Sequence, residues 1–204
     1  MNFTDYVGYL STLDSGSRAN EGPPPSSSWS ASSISSTSSG LAIISGSIAR
    51  PGAGYSSGYW GTEFSADCVS AWTVPTSGDL EIEHRGKDLS GSVWDALSLF
   101  YDSAALTLQA LVTVNGAVTS TLATCAVTLS SGMDIGFATV GASICGATYT
   151  GGSWTTRFTV VDSTLSNSGA IGIWLNGTTP QINNFRAGNV TSGSTRTMLL
   201  MGAG

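Results

Sequence analysis

"LTLQALVTVNGAVTSTLATCAVTL" occupies residues 106–129. Two runs of alternating apolar and hydroxyl-bearing residues meet there at Asn115-Gly116, the dipeptide that best accepts the positive φ angles of a tight hairpin turn. Alternation with a period of two points one face of each run to a core and the other to water. The stretch predicts an antiparallel hairpin. Similar runs continue in both directions at short spacing: "LAIISGSIA" (41–49), "ADCVSAWTV" (66–74), "DLEIEHR" (79–85) and "VWDALSLFY" (93–101) before it. After it come "DIGFATVGASICGATY" (134–149), "SWTTRFTVV" (153–161), "GAIGIWL" (169–175) and "QINNFRA" (181–187). No segment carries a helical period for more than two turns. The pattern predicts an all-β chain of two antiparallel sheets packed face to face.

Composition agrees. The chain has 204 residues, enough for one sandwich with a buried core, and 10% of them are charged against 41% hydrophobic. With 26 glycines and abundant Ser and Thr, it is rich in turn formers and poor in the residues that coat soluble helices. The formal charge of −6 and the single lysine, Lys87, leave no basic footprint for nucleic acid. No run reaches the roughly 18 apolar residues of a membrane helix. The opening "MNFTDYVGYLSTLDSG" has neither the basic start nor the apolar centre of a secretory signal, so the expected location is a cell interior or a particle assembled there. Cys68, Cys125 and Cys145 are odd in number and widely spaced, which predicts buried thiols, with one disulfide as the alternative. One histidine, His84, and no paired-cysteine motif argue against a metal site, and no cofactor motif is present.

Three regions are expected. Residues 1–28 form an arm and a Pro/Ser-rich loop, because "PPP" at 23–25 cannot join a sheet interior. Residues 29–188 form the sandwich, and 189–204 form a tail containing the apolar run Met198, Leu199, Leu200 and Met201.

Two segments carry a resemblance. "WTTRFTVVDSTLSNSGAIGIWLNGTTPQINNFRAG" (154–188) resembles the closing strands of the laminin-G-like, concanavalin-type jelly roll, through Asp162, Ser163, Gly169, Gly172, Asn184 and Phe185. "DSGSRANEGPPPSSSWS" (14–30) resembles the opening of such domains in tailed-bacteriophage proteins, through Asp14, Arg18, Ala19, Asn20 and Trp29. Gly16 stands where that pattern has an aromatic, so Tyr6 or Tyr9 is expected to anchor the first strand instead. The resemblance implies a jelly-roll sandwich and a virion protein, as capsid decoration, fibre or tail component. It would act through contacts with other virion proteins, and as a homo-oligomer.

Related jelly-roll glucanases carry Glu-x-Asp-x-Glu on one strand, with the outer glutamates catalytic. Here "GDLEIEHRG" (78–86) offers Asp79, Glu81 and Glu83 on one face. The order differs, and Asp79 is short where a retaining pair must close to about 5–5.5 Å. Arg85, two residues beyond Glu83, is expected on the same face, where a cation would favour ionised carboxylates. The expectation is a solvent-facing acidic strand with no catalytic residue, while Leu80, Ile82 and His84 face the core. Two alternatives to the virion scaffold remain. One is a carbohydrate-binding or receptor-binding module contacting surface glycans through Tyr55, Tyr59, Trp60 and Trp94. The other is a glycan-cleaving enzyme using Glu81 and Glu83. The apolar tail is the expected partner interface, since four exposed apolar residues are a liability unless covered.

Overall fold

The computed structural model describes residues 1–31, 40–51, 54–88, 93–176 and 180–191. Among them, fifteen strands follow in chain order, beginning with β1 (Ser11–Asp14), β2 (Trp29–Ala31), β3 (Ala42–Ile44), β4 (Ser47–Ala49) and β5 (Tyr55–Trp60). The middle of the chain supplies β6 (Cys68–Thr76), β7 (Asp79–Lys87), β8 (Asp95–Asp102), β9 (Thr107–Val114) and β10 (Ala117–Ala126). It ends with β11 (Met133–Val140), β12 (Ser143–Thr150), β13 (Ser153–Val161), β14 (Ala170–Asn176) and β15 (Gln181–Asn189). The helical elements among the described residues are two 3₁₀ turns, Phe3–Asp5 and Val7–Tyr9.

The strands form two antiparallel sheets. One has the order β13-β12-β11-β6-β15-β4-β3 with β1 paired to β15, and the other the order β10-β9-β8-β7-β14-β5-β2. The expected hairpin joins β9 to β10, with Asn115 at φ 53° and Gly116 at φ 73° in the turn. Between the sheets lie Trp72, Ile82, Leu97, Leu99, Phe137, Ile173 and Phe185. Trp72 and Phe185 stack with ring centroids 4.0 Å apart. Trp29 packs edge-on against Trp60 at 5.5 Å.

The motifs of the opening segment are structural. Asp14 accepts hydrogen bonds from the Arg18 guanidinium and from Trp29 Nε1 at 2.8 Å, and Arg18 also reaches the Pro25 carbonyl. Gly16 takes φ 71°, with its N–H on Asp14 Oδ1, so a tight turn replaces the aromatic of the phage pattern. The arm is anchored chiefly by Phe3, which is wholly buried, with Tyr6 and Tyr9 half-buried against the same cluster. Phe3 fits because Gly136, Ala138, Cys145 and Ala147 make the outer face of β11 and β12 shallow. Asp162 caps its own turn, accepting from Thr164 N–H. Cys68 and Cys145 are buried, Cys125 is half-buried, and all three are free thiols.

Strand β7 departs from the expected regular strand at Arg85. Its φ of 56° and a register shift between His84 and Lys87 mark a bulge. The guanidinium therefore turns away from Glu81 and Glu83. It donates to the carbonyls of Ala66, Leu165 and Gly141 and lies 3.8 Å from Asp67. Gly169 is needed opposite the bulge, since a Cβ there would lie 2.6 Å from backbone atoms of Arg85 and Gly86. Strand β8 begins at Asp95, leaving Val93 outside it and exposed.

Candidate functional site

Parity along β7 sends Leu80, Ile82 and His84 into the core, as expected. The histidine is neutral: burial, reinforced by Arg85, pushes it down to about 3. Its Nε2 lies 2.7 Å from Ser70 Oγ, but both residues are completely enclosed, so this pair has no access to a substrate. The opposite parity builds the site. Glu81 and Glu83 lie on the outer face of the seven-stranded sheet, and cross-strand register surrounds them with chosen neighbours.

Three rows run across the strands. Ser98, Glu83, Gly172 and Tyr59 are successive partners in one, and Gln109, Phe100, Glu81, Trp174 and Ser57 in the next. Asp79, Asn176 and Tyr55 make the third. Trp174 stacks on Tyr55 with centroids 5.0 Å apart and planes 24° from parallel, and Phe100 lies 6.3 Å from Trp174. Asp79 is tied down by Ser103 N–H and Oγ–H and by Asn176 Nδ2 at 3.4 Å. Trp94 packs with Tyr59 and Ala170 beside Glu83.

The acids are not solvent-facing. Glu83 is 1% exposed and Glu81 half-buried, a correction to the acidic surface strand expected from the sequence. The physical reason is that Trp94, Tyr59, Trp174 and Phe100 gather around them from four other segments. Burial holds the Glu83 carboxyl well above the usual carboxylate range, and the neighbouring Glu81 pushes it further up. Burial raises Glu81 as well. The Trp94 indole and the Ser98 hydroxyl lie beside the pair and favour the ionised forms. Even so, Glu83 Oε2, Trp94 Nε1 and Ser98 Oγ are buried without a hydrogen bond. Arg85 does not act on either carboxyl, because of the bulge.

Next to this face a cleft of about 470 Å³ opens between Tyr59, Trp60, Glu63, Lys87, Asp88 and Ala170. Lys87 Nζ stands 3.9 Å from Glu63 Oε1 at its mouth, a long and exposed pairing. Among the described residues no three His, Cys, Asp or Glu side chains gather into a metal cage.

Of the four aromatics proposed from sequence, Tyr55, Tyr59 and Trp94 come together on this face. Trp60 does not: it packs against Trp29 and Phe185 on the core side, and its rim lines the cleft. Sequence reasoning missed Trp174, Phe100 and Ser98. The available signal was parity, because each pairs directly with Glu81 or Glu83 in a neighbouring strand. Met198, Leu199, Leu200 and Met201 lie outside the described residues.

The carbohydrate-binding module CBM66 from Bacillus subtilis superposes with TM-score 0.61 and 14% identity, over 79% of this chain and 96% of that one. The fold is a lectin-like jelly roll. The VIP36 exoplasmic/lumenal domain in its Ca²⁺/Man2-bound form gives TM-score 0.64 and 11% identity, over 93% of both chains. A prokaryotic β-1,3-1,4-glucanase from a mouse hindgut metagenome gives TM-score 0.50 and 12% identity, over 73% of this chain and 82% of that one. At these identities the likeness is one of fold. No protein-family model and no curated protein sequence matches the chain.

Proposed function

We propose that the chain is a carbohydrate-binding module that takes a glycan along the outer face of the seven-stranded sheet. One observation carries this reading: Tyr55, Trp174, Phe100 and Tyr59 share that face with Glu81, Glu83 and Asn176. Aromatic faces suit the C–H surface of a sugar ring, and carboxylate and amide groups suit its hydroxyls. Two structural neighbours are named as a carbohydrate-binding module and a Ca²⁺/Man2-bound lumenal domain, which supports the same class. A virion location is an expectation of the sequence resemblance at residues 14–30, and a receptor-binding module on a particle would work through the same face.

The experiment is a glycan array followed by calorimetry with Trp174→Ala. Trp174 is half-buried on the outer face, so its removal leaves the core intact. The variant should keep its melting temperature within a few degrees and lose at least about tenfold in affinity, equivalent to about 1.4 kcal/mol. Unchanged affinity, or no bound glycan on the array, would refute the reading.

A second reading is favoured by one feature, the paired buried acids: a glycan-cleaving enzyme using Glu81 and Glu83. Retaining hydrolysis needs one carboxyl protonated and its partner ionised, with environments that push the two apart. Burial pushes both upwards here, and no cation among the described residues holds Glu81 ionised, so binding is the better account. Release of reducing sugar by the wild type, abolished in Glu81→Gln, would reverse that preference.

A further inference from the structure

We propose that this face selects saccharides bearing a protonated amine, such as a glucosamine oligomer, with the ammonium seated against Glu81 and Glu83. The inference rests on the carbohydrate-binding reading and names the ligand class. It begins from a local imbalance. Two carboxyls lie among Trp94, Tyr59, Trp174 and Phe100, and one of them is 1% exposed with Oε2 unpaired. The nearby cations are committed elsewhere: Arg85 holds three backbone carbonyls, and Lys87 sits at Glu63. Trp94 Nε1 and Ser98 Oγ, also unpaired, are placed to meet the polar atoms of a ligand at the same spot.

An ammonium answers each of these features. It donates up to three hydrogen bonds, it supplies the charge that a buried carboxylate pair lacks, and it is attracted by tryptophan faces. Gly172 stands between Glu83 and Tyr59 in the cross-strand row and adds no side chain over the carboxyl. Tyr59 also lines the adjoining cleft, whose rim sets Glu63 and Asp88 against the lone Lys87. The acid pair and the adjoining cleft therefore both carry excess negative charge, on a chain whose formal charge is −6. The same field disfavours sugars bearing carboxylate or sulfate groups.

Calorimetry with three β-1,4-linked hexamers tests this: glucosamine, N-acetylglucosamine and glucose. The glucosamine hexamer should bind the wild-type protein at least about tenfold more tightly than either neutral oligomer. Added salt should weaken that preference. Glu83→Gln should reduce the preference to about twofold. A thermal melt checks that the variant is folded, and Glu81→Gln serves if it is not. Equal or weaker binding of the glucosamine hexamer overturns the inference, as does a preference that survives both substitutions. Absence of binding by all three hexamers also overturns it. The glycan array with Trp174→Ala decides the parent reading separately, because that test is indifferent to charge.

Discussion

Gly136→Ala is a one-carbon change that should dislodge the amino-terminal arm. A Cβ at position 136 would collide with the tip of the Phe3 ring, at Cζ and 2.7 Å from both Cε1 and Cε2, and turning the ring about its own axis leaves Cζ in place. Phe3 is fully buried, sits 4.5 Å from the Trp154 ring centroid, and is held through its N–H on Thr156 Oγ1 at 3.1 Å. Expelling it returns one phenyl group to water, a loss of about 2–3 kcal/mol. Reduced freedom of the unfolded chain recovers about 0.4–1 kcal/mol. The net expectation is a destabilisation of about 1–3 kcal/mol, or a fall in Tm of roughly 2–12 °C at about 2–4 °C per kcal/mol for a chain of this size. Phe3→Ala alone should cost about 3–5 kcal/mol. In that background the methyl group introduced by Gly136→Ala occupies vacated space, so the second substitution should cost nothing further. The assay is a double-mutant cycle by urea unfolding. Additive effects, with Gly136→Ala just as harmful without the Phe3 ring, would refute the packing argument.

The buried acids make a pH prediction. Burial and Glu81 raise the Glu83 carboxyl in the folded chain, so its stabilising contribution is complete below the unfolded value near ~4.3 and is lost as pH rises through the folded value. Glu83→Gln should therefore gain stability over wild type as pH rises above about 4, and parallel stability profiles would refute this. Asp14 has the opposite sign. Burial alone would raise it, but hydrogen bonds from Arg18, Gly16 and Trp29 hold it below the usual range. Its contribution is present above the unfolded value near ~3.9 and is lost as pH falls through the folded one. Asp14→Asn should cost about 1–3 kcal/mol at neutral pH and flatten the acid limb of the stability curve, and a melt matching wild type at neutral pH would count against the latch.

Most of the fold was legible in the residues themselves. Period-two alternation and Asn115-Gly116 determine the β9–β10 hairpin, because side-chain direction and turn geometry are properties of a few neighbouring residues. The same parity placed Ile82 in the core and Glu81 with Glu83 opposite it, and in both cases the structure agrees. What alternation does not carry is the fate of the outward face. Trp174 and Phe100 meet Glu81 only across the β14–β7 and β7–β8 pairings, and Trp94 approaches Glu83 from a loop. Burial of the acids therefore exists only once the sheet is assembled. Arg85 shows the limit most sharply. Strict alternation puts its charge beside Glu83, but a positive φ and a bulge, closely approached by Gly169, turn it towards three carbonyls on the far side. Local sequence thus determined which residues form strands and which face each one offers. Long-range register and one backbone irregularity decided that the outward acids would be enclosed by aromatics and left without a cation.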